Sequence, residues 1–227
     1  MSVGQATRNA ANYLSTPSPA WTGLTVAGWI QAKDISATAY STLYAVMDNA
    51  GSYSWCGVDF ADGNIKTWNS TAGFSTGLGT VAVNDWLYVA LVHNGTTQTL
   101  YLSKNNAASS TISIALPART ATSIQAFLDL PANLNTIGAY LSHMRVWSAA
   151  LTQAQLDAER VAGAPLVTSG LVLDNLLATI SDVRSPLSIV GSLGNSIQSP
   201  YVTGAAPATT PGTLGQFDPE LRILGWF

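Results

Sequence analysis

The stretch IGAYLSHMRVWSAALTQAQLDAER, residues 137–160, joins a glycine, an apolar strand and a helix within two dozen residues. The signals around its helix are a capping box of Thr152 and Gln155, a hydrophobic staple of Leu151 and Leu156, and the breakers Gly163 and Pro165. These signals are local, because a hydroxyl accepts from a free N–H of the first turn and glycine ends the last turn. The sequence therefore predicts one short α-helix near 152–162, directly after a strand.

The rest of the chain consists of short apolar runs separated by turn residues. The runs are LTVAGWIQ (24–31), STLYAVM (41–47), SWCGVDF (54–60), IKTW (65–68), WLYVALV (86–92), TLYLS (99–103), TISIAL (111–116), GLVLDNL (170–176) and PLSIVGSL (186–193). LTVAGWIQ alternates, with Leu24, Val26 and Ile30 on one face of a strand. The turns MDNAG, ADGN, HNGTT and SKNN favour hairpins. This pattern predicts an all-β fold, an antiparallel sandwich or barrel rather than βαβ units.

Charged residues make up only 9% of the chain, against roughly a quarter in an average domain. The buried parts of protein interfaces are poor in Lys and Glu, so much of this surface is a candidate for contact with other proteins. The alternative is a Ser/Thr-rich β surface that is simply uncharged. The composition leaves both interpretations open.

The net charge of −3 and scattered basic residues give no footprint for nucleic acid. The single cysteine, Cys56, is expected to be a core thiol. The first 21 residues hold no apolar stretch of signal-peptide length, and about 18 apolar residues nowhere run together. We therefore expect a protein made in the cytoplasm, without nucleic-acid binding or membrane insertion.

The order of the elements closely resembles the laminin-G-like jelly rolls of the concanavalin A-like lectin and glucanase superfamily. The matching segments are LTVAGWIQ, DFADGNIKTW, NDWLYVALVHNGTTQTLYLS and NTIGAYLSHMRVWSAALTQAQLDAER, which fall within residues 20–162. The family's characteristic positions fall on Trp29, Trp86, Ala90, Val92, Leu100, Tyr101, Ile137, Gly138, Arg145, Trp147, Leu151 and Thr152. The resemblance implies that Trp29, Trp86 and Trp147 are buried and that the helix caps the roll.

The resemblance and the composition of the two termini together predict three parts in the chain. Residues 1–20 are predicted to form an N-terminal arm, residues 21–204 the jelly-roll domain, and residues 205–227 a Pro/Thr-rich linker with an apolar tail. The tail either folds back on its own domain or docks on a neighbour, and after a linker we favour the neighbour. The docking candidates are Phe217, Leu221, Ile223, Leu224, Trp226 and Phe227.

Some members of this superfamily are glycoside hydrolases, which need two carboxylates on either side of the scissile bond. The chain has two glutamates, Glu159 in the predicted helix and Glu220 in the tail, and neither is expected on a sheet face. Asp59 and Asp62 border a turn and are expected to point to opposite faces. No catalytic residue is predicted, and a glycoside hydrolase is a remote alternative.

The two histidines and the Asx residues of the turns are the other candidates for chemistry. His93 and His143 have no nucleophile motif and are predicted to be turn or strand-edge residues. Jelly rolls of this type often hold calcium with an Asp and loop carbonyls, which makes Asp48, Asn49 and Asp182 weak calcium candidates. The favoured alternative is that these Asx residues serve the turns themselves. No cofactor is firmly predicted, and calcium is left open.

Seven tryptophans and eight tyrosines raise the question of a sugar-binding surface, because exposed aromatic faces stack on pyranose rings. Tyr53, Trp55 and Trp68 border the DFADGN hairpin, which itself supplies Asp62 and Asn64. These five residues are the glycan-binding candidates. The favoured alternative places the aromatic residues in the core, where large rings are common.

Two classes of function remain. The first is a non-catalytic structural or adhesive subunit, predicted to be a bacteriophage virion protein for capsid decoration or tail association, with virion structural proteins or copies of itself as partners. Phage proteins are released by lysis, which suits an extracellular type of domain without an export signal, so the predicted location is the virion. The second class is a free extracellular lectin, with or without calcium, that binds a cell-surface glycan.

Overall fold

The computed structural model describes residues 2–5, 13–49, 53–126, 137–175, 188–190 and 194–196. The strands within these ranges are β1 Ser2–Gln5, β2 Tyr13–Pro17, β3 Leu24–Asp34, β4 Ser41–Asp48, β5 Tyr53–Val58, β6 Ile65–Asn69, β7 Gly73–Phe74, β8 Trp86–Asn94, β9 Thr97–Lys104, β10 Ser110–Ala115, β11 Ala121–Ala126, β12 Gly138–Trp147, β13 Leu171–Asn175, β14 Ser188–Val190 and β15 Gly194–Ser196. One helix, α1 Gln153–Glu159, lies in the described part of the chain.

The strands form two antiparallel sheets. Among the described residues, the first sheet has the order β10-β9-β8-β3-β12-β1-β15. Two strands share one edge of β12: β1 pairs with its first half and β13 with its second half. The second sheet has the order β14-β2-β11-β4-β5-β6-β7. Hairpins connect the consecutive strands from β4 to β7 and those from β8 to β10. By contrast, the pairs β3–β12 and β4–β11 join strands that are far apart in sequence. The predicted antiparallel jelly-roll sandwich is confirmed.

The core between the sheets follows the alternation of the strands. Leu24, Val26 and Ile30 of β3 pack on residues of the second sheet, among them Val46 and Cys56. Each is fully buried. Leu14 of β2 joins the same core, so the hydrophobic pattern of the sequence accounts for the way the two sheets face each other.

Gly28 shares this inner face and brings the sheets close together. A Cβ at this position would lie 2.7 Å from the hydroxyl oxygen of Tyr44 and 2.9 Å from the carbonyl oxygen of His143. Real Cβ atoms do not approach other atoms so closely. The strand therefore needs glycine here, although glycine is unfavourable in most strand interiors.

A second core lies on the outer face of the first sheet, under α1. Its buried members are Ala27, Trp29, Trp86, Tyr88, Ala90, Val92, Tyr101, Trp147, Leu151 and Leu156. The indole N–H of Trp29 donates to the carbonyl oxygen of Arg160 at 2.8 Å, and that of Trp147 to Val167 at 2.7 Å. The predicted burial of these tryptophans and the role of the helix as a cap are confirmed.

The helix begins as predicted but ends earlier. The capping box of Thr152 and Gln155 is present. α1 ends at Glu159 rather than near residue 162, and Arg160 is its C-cap. Beyond this point the chain turns back, because the Glu159 carboxylate accepts the backbone N–H of Leu166 at 2.8 Å.

The prediction of an N-terminal arm outside the roll is wrong for the described part of residues 1–20. β1 pairs with β12 in the first sheet, and β2 pairs with β11 in the second. The sequence hides these strands because β1 is short and rich in small residues. Their pairing with distant strands, rather than local pattern, makes them part of the sandwich.

Candidate functional site

A row of aromatic side chains runs along the outer face of the second sheet, the face turned away from the first. Its members, in spatial order, are Tyr53, Trp68, Phe74, Tyr40 and Phe60, and we call them the ring row. Successive ring centroids are 5.1, 6.2, 5.0 and 5.3 Å apart. These separations are typical of aromatic pairs in contact, so the row is one continuous aromatic surface.

Strand alternation places these rings outside the sandwich. In β5, Cys56 packs in the core, so its neighbour Trp55 points outward. In β6, Ile65 packs in the core, and Trp68, three positions later, lies on the opposite face. Trp68 is paired with Trp55 on one side and with Phe74 of β7 on the other. Neighbouring strands thus bring rings together on one face.

Most of the ring row is accessible to solvent. Phe60 is 43% exposed and Phe74 is 41% exposed, and the other members are half-buried. Trp55 is different, because Tyr40 and Phe74 cover it and leave it 2% exposed. Its indole N–H donates to the Thr42 hydroxyl at 2.7 Å. Trp55, one of the glycan-binding candidates, therefore offers no open face to a ligand. It is buried, as the favoured alternative for these aromatic residues expected, and forms the floor beneath the row.

A charged cluster lies next to the row, two residues before Trp68. Lys66 Nζ is 2.7 Å from Asp59 Oδ2 and 2.8 Å from Asp62 Oδ2. The expectation that these aspartates point to opposite faces is wrong, because the turn directs both toward Lys66. The pKa of Asp62 is lowered, mainly because Lys66 donates a hydrogen bond to its carboxylate. The backbone N–H of Asn64 makes the second contribution. Bonds to Asp59 and Asp62 raise the pKa of Lys66.

The predicted candidates Asp62 and Asn64 lie in this turn, which also carries Phe60 of the ring row. The backbone N–H of Asn64 donates to Asp62 Oδ1 at 2.9 Å, so the pair forms an Asx turn. The side chain of Asn64 packs against Gly77, where a Cβ would lie 2.5 Å from Asn64 Cβ. The Asp62 side chain is 43% exposed and is the more accessible of the two.

At the opposite end of the row, Arg119 joins two strand ends of the second sheet. Its guanidinium is 3.1 Å from Asp48 Oδ2 and donates to the Ser70 hydroxyl at 3.1 Å. Asp48, a calcium candidate, thus has a cation as its partner, and Asn49 is exposed. Asp182 lies outside the described residues. Within the described ranges, no group of three or more His, Cys, Asp or Glu side chains is placed to hold a metal ion.

A buried polar cluster between the sheets supports β6 beneath the ring row. Gln98 of β9 donates to the carbonyl oxygen of Trp68 at 3.0 Å and accepts from the Asn69 amide at 2.9 Å. Asn69 also donates to the carbonyl oxygen of Ala115 at 2.7 Å. Buried polar groups with these partners fix one relative position of the sheets. Sequence reasoning missed the cluster, because its members resemble ordinary outward-facing polar residues.

The glutamate of the helix has a structural role. Glu159 Oε2 is 2.7 Å from Arg145 Nη1, and their side chains are 0% and 3% exposed. The Arg145 Nε atom is also 2.9 Å from Asp174 Oδ1. Glu159 is therefore not open to a substrate, and Glu220 lies outside the described residues.

Both histidines are buried, which corrects the prediction that they are turn or strand-edge residues. His93 lies in the sandwich, where its Nε2 is 2.8 Å from the Ser54 hydroxyl and its Nδ1 is 2.7 Å from the carbonyl oxygen of Trp21. His143 lies at a register shift in β12 with a φ of 59°. Burial lowers the pKa of both imidazoles to about 4, and the charge of Arg145 adds to this at His143. Each is a neutral core residue at neutral pH.

A cavity of about 240 Å³ lies between α1 and the outer face of the first sheet. Its lining includes Asn94, Thr99 and Gln153, and carries no charged side chain. The ring of Tyr101, which also lines it, is fully buried, and its hydroxyl donates to Asp157 at 2.6 Å. The cavity therefore lacks the open aromatic faces that the ring row offers.

The tail candidates Phe217, Leu221, Ile223, Leu224, Trp226 and Phe227 lie outside the described residues. Within the described part, no helix is long and apolar enough to cross a membrane.

The chain belongs to the concanavalin A-like lectin/glucanase superfamily, because the family model matches residues 8–157. The match confirms the predicted family. It also begins inside the segment predicted to be an arm, in agreement with the pairing of β2.

Solved structures are similar to this chain at low sequence identity. A provisionally named carbohydrate-binding protein from Bacteroides ovatus has a TM-score of 0.56 and 15% identity, over 78% of this chain and 51% of that one. The enzymatically active domain of tailspike protein 2 from bacteriophage CBA120 has a TM-score of 0.51 and 11% identity, over 72% and 28%. Domains LG4-5 of the mouse laminin alpha1 chain have a TM-score of 0.46 and 13% identity, over 77% and 47%.

This chain spans about half the length of the Bacteroides ovatus protein and a smaller part of the tailspike domain. No curated protein sequence matches it significantly. The two matches with TM-scores above 0.5 show a shared fold.

Proposed function

We propose that this domain is a non-catalytic adhesive module that binds carbohydrate through the ring row. The observation that carries the proposal is the continuous run of rings on one face, with Phe60 and Phe74 43% and 41% exposed. Contiguous exposed apolar surfaces of this kind mark binding sites more often than plain surface. The C–H face of a sugar ring packs against an aromatic face, so the row suits a sugar ligand.

Polar groups at the edge of the row supply the other half of sugar recognition. Asp62 keeps an exposed carboxylate, and Lys66 holds it in place. Binding sites combine an apolar surface with a few fixed polar groups that set the orientation of the ligand. The carboxylate of Asp62 and the side-chain amide of Asn64, which lie next to the rings, provide acceptors and a donor for sugar hydroxyls.

The described carboxylates support a role without catalysis. Hydrolysis of a glycosidic bond uses two carboxyl groups that reach the bond from either side. Glu159 is buried against Arg145, and Asp59 and Asp62 share one lysine. The proposal therefore assigns binding, and not bond cleavage, to the ring row.

The decisive experiment measures glycan binding by the Trp68→Ala variant. Trp68 joins Tyr53 to Phe74, so its loss interrupts the row, and binding to an array of soluble glycans should fall at least about tenfold. Trp68→Phe, which keeps a ring, should retain most of the affinity. Leu166→Ala is the matched control, because Leu166 is 61% exposed and lies in the segment after α1, away from the second sheet.

Stability separates a lost contact from a lost fold. A half-buried Trp68 should cost less on truncation than the about 3–5 kcal/mol of a core tryptophan. Wild-type binding by Trp68→Ala, or equal losses in Trp68→Ala and Leu166→Ala, would refute the proposal. Repeating the array with a calcium chelator tests the alternative of a calcium-dependent lectin. That alternative requires glycan binding to fall when calcium is removed.

The same proposal places this adhesive module in a bacteriophage virion. There the domain contacts virion structural proteins or other copies of itself. Edge strand β10 supports self-association. Among the described strands it pairs only with β9, and Thr111, Ser113 and Ala115 on it are exposed. Edge strands are usually protected by charge or proline, and the sequence STISIA has neither. An uncharged edge of this kind suits pairing with a second strand.

The mass of the full-length protein by light scattering tests this part. We expect a discrete oligomer that the double variant Thr111→Lys with Ser113→Lys dissociates, because charges then face each other across the pair. Val83→Lys is the control, since Val83 is 54% exposed in a loop. A monomer at all concentrations would contradict self-association through β10. Deletion of residues 206–227 measures separately whether the tail contributes.

A further inference from the structure

We infer that the ring row takes a single chain of a neutral polysaccharide, with several sugar units bound at once. This inference rests on the proposed function and adds the class of ligand. It comes from three properties of the row: its length, the tilts between its rings, and the charges beside it.

The length of the row indicates an extended ligand. Tyr53 and Phe60 stand at its two ends, and each neighbouring pair of centroids is separated by between 5.0 and 6.2 Å. This spacing is comparable to the length of one hexose unit in a chain. A terminal monosaccharide would use one or two rings and leave the others exposed. An oligosaccharide laid along the row covers all of them.

The tilts between the rings favour one twisted chain over a flat surface. Successive interplanar angles along the row are 43°, 45°, 38° and 63°. A crystalline polysaccharide presents a flat face, which cannot lie on rings tilted to this extent. A single chain in solution can rotate about each glycosidic bond, so its successive sugars can follow the tilts.

The charges beside the row favour uncharged sugars. Lys66 is held by Asp59 and Asp62, so this cluster carries one net negative charge. Arg119, near the other end, is paired with Asp48. Among the residues that the structure describes, Lys66 and Arg119 thus both have carboxylate partners. A chain of uronic or sialic acids would be repelled by the excess negative charge of this cluster. A neutral chain carries no charge and is not repelled.

The experiment measures affinity against chain length by calorimetry on the full chain. The probes are soluble dextran, xylan, galactomannan, laminarin and amylose, followed by the oligosaccharides of the polymer that binds, from monosaccharide to hexasaccharide. Each further ring covered should raise the affinity about two- to tenfold, until the row is full. Alginate of matched length is the acidic probe, and microcrystalline cellulose is the flat one.

Variants at the two ends locate the chain on the row. Phe60→Ala and Tyr53→Ala should each weaken binding of the hexasaccharide about two- to tenfold and weaken binding of the disaccharide less, because a short ligand can still use the three remaining central rings. Leu166→Ala is again the control. Phe60 is 43% exposed, so its removal leaves the core intact, and an unchanged thermal unfolding midpoint checks this.

The outcomes separate the inference from the proposed function. Equal affinity for disaccharide and hexasaccharide, tighter binding of alginate, or binding to cellulose alone would overturn the inference and leave glycan binding in place. Loss of affinity in Trp68→Ala with no effect of the end variants would also overturn it. Binding to none of the soluble glycans, neutral or acidic, would overturn both.

Discussion

The Glu159→Ala substitution tests the link between α1 and the first sheet. The Glu159 carboxylate is 2.7 Å from Arg145 and accepts the backbone N–H groups of Leu166 and Val167. Its side chain is fully buried. Alanine removes every one of these acceptors at once and leaves the Arg145 guanidinium without its most buried partner.

The expected loss in the free energy of unfolding is about 4 kcal/mol. Removing one partner of a buried ion pair costs about 3–5 kcal/mol, and an orphaned backbone N–H costs about 1–3 kcal/mol. Asp174, whose side chain is 31% exposed, still pairs with Arg145 and limits the damage. Glu159→Gln keeps an acceptor in place, so its loss should be smaller.

Urea unfolding followed by tryptophan fluorescence measures these values. Asp157→Ala is the matched control, because Asp157 lies on the same helix with its side chain 37% exposed, and it should cost about 1 kcal/mol. The double variant Arg145→Met with Glu159→Leu should recover only part of the stability, because no charge stays buried without a partner but the N–H groups of Leu166 and Val167 still lack their acceptor. If Glu159→Ala proves no more destabilising than Asp157→Ala, the reasoning about the buried pair is refuted.

Three further predictions concern the core. Burial lowers the pKa of His93 from 6.5 to about 4, so between these pH values the unfolded chain binds a proton that the folded chain does not. The free energy of unfolding should therefore fall as the pH drops from 6.5 to 4. Urea titrations at a series of pH values should show this fall, and the His93→Gln variant should show a weaker dependence on pH. Gln98→Ala should cost about 1–3 kcal/mol in the same assay and weaken glycan binding by releasing β6. The control Gln125→Ala, at a half-buried position of β11, should cost less. Gly28→Ala should cost about 1–3 kcal/mol through contact with the Tyr44 hydroxyl, and a melting point equal to that of the wild type would contradict this.

The elements with local signals were predictable. The capping box of Thr152 and Gln155 involves atoms three residues apart, so the sequence shows both partners side by side. Turn glycines such as Gly63 and Gly95 adopt positive φ, as the ADGN and HNGTT turns indicated. The alternation of β3 fixed its inward face. The resemblance to a known family added the burial of Trp29, which the pattern alone left open.

The candidate site was only half visible. Tyr53 and Trp68 were identified because they border one hairpin. Tyr40, Phe60 and Phe74 were missed, since loops and a two-residue strand carry them and no periodicity marks them. Trp55 was a binding candidate, but Tyr40 and Phe74 cover it. Exposure depends on neighbours that the sequence does not place together.

By itself, the sequence determined the alternating strands, the turns, the short capping helix and the charge-poor composition, because each depends on residues within a few positions of one another. Tertiary structure decided which strands pair, and with them the place of β1 and β2, the burial of His93 beside Ser54, and the continuity of the ring row. Those features join residues whose separation along the chain carries no local signal. They form only when long-range strand pairing, driven by burial of the common core, selects one arrangement of the sheets.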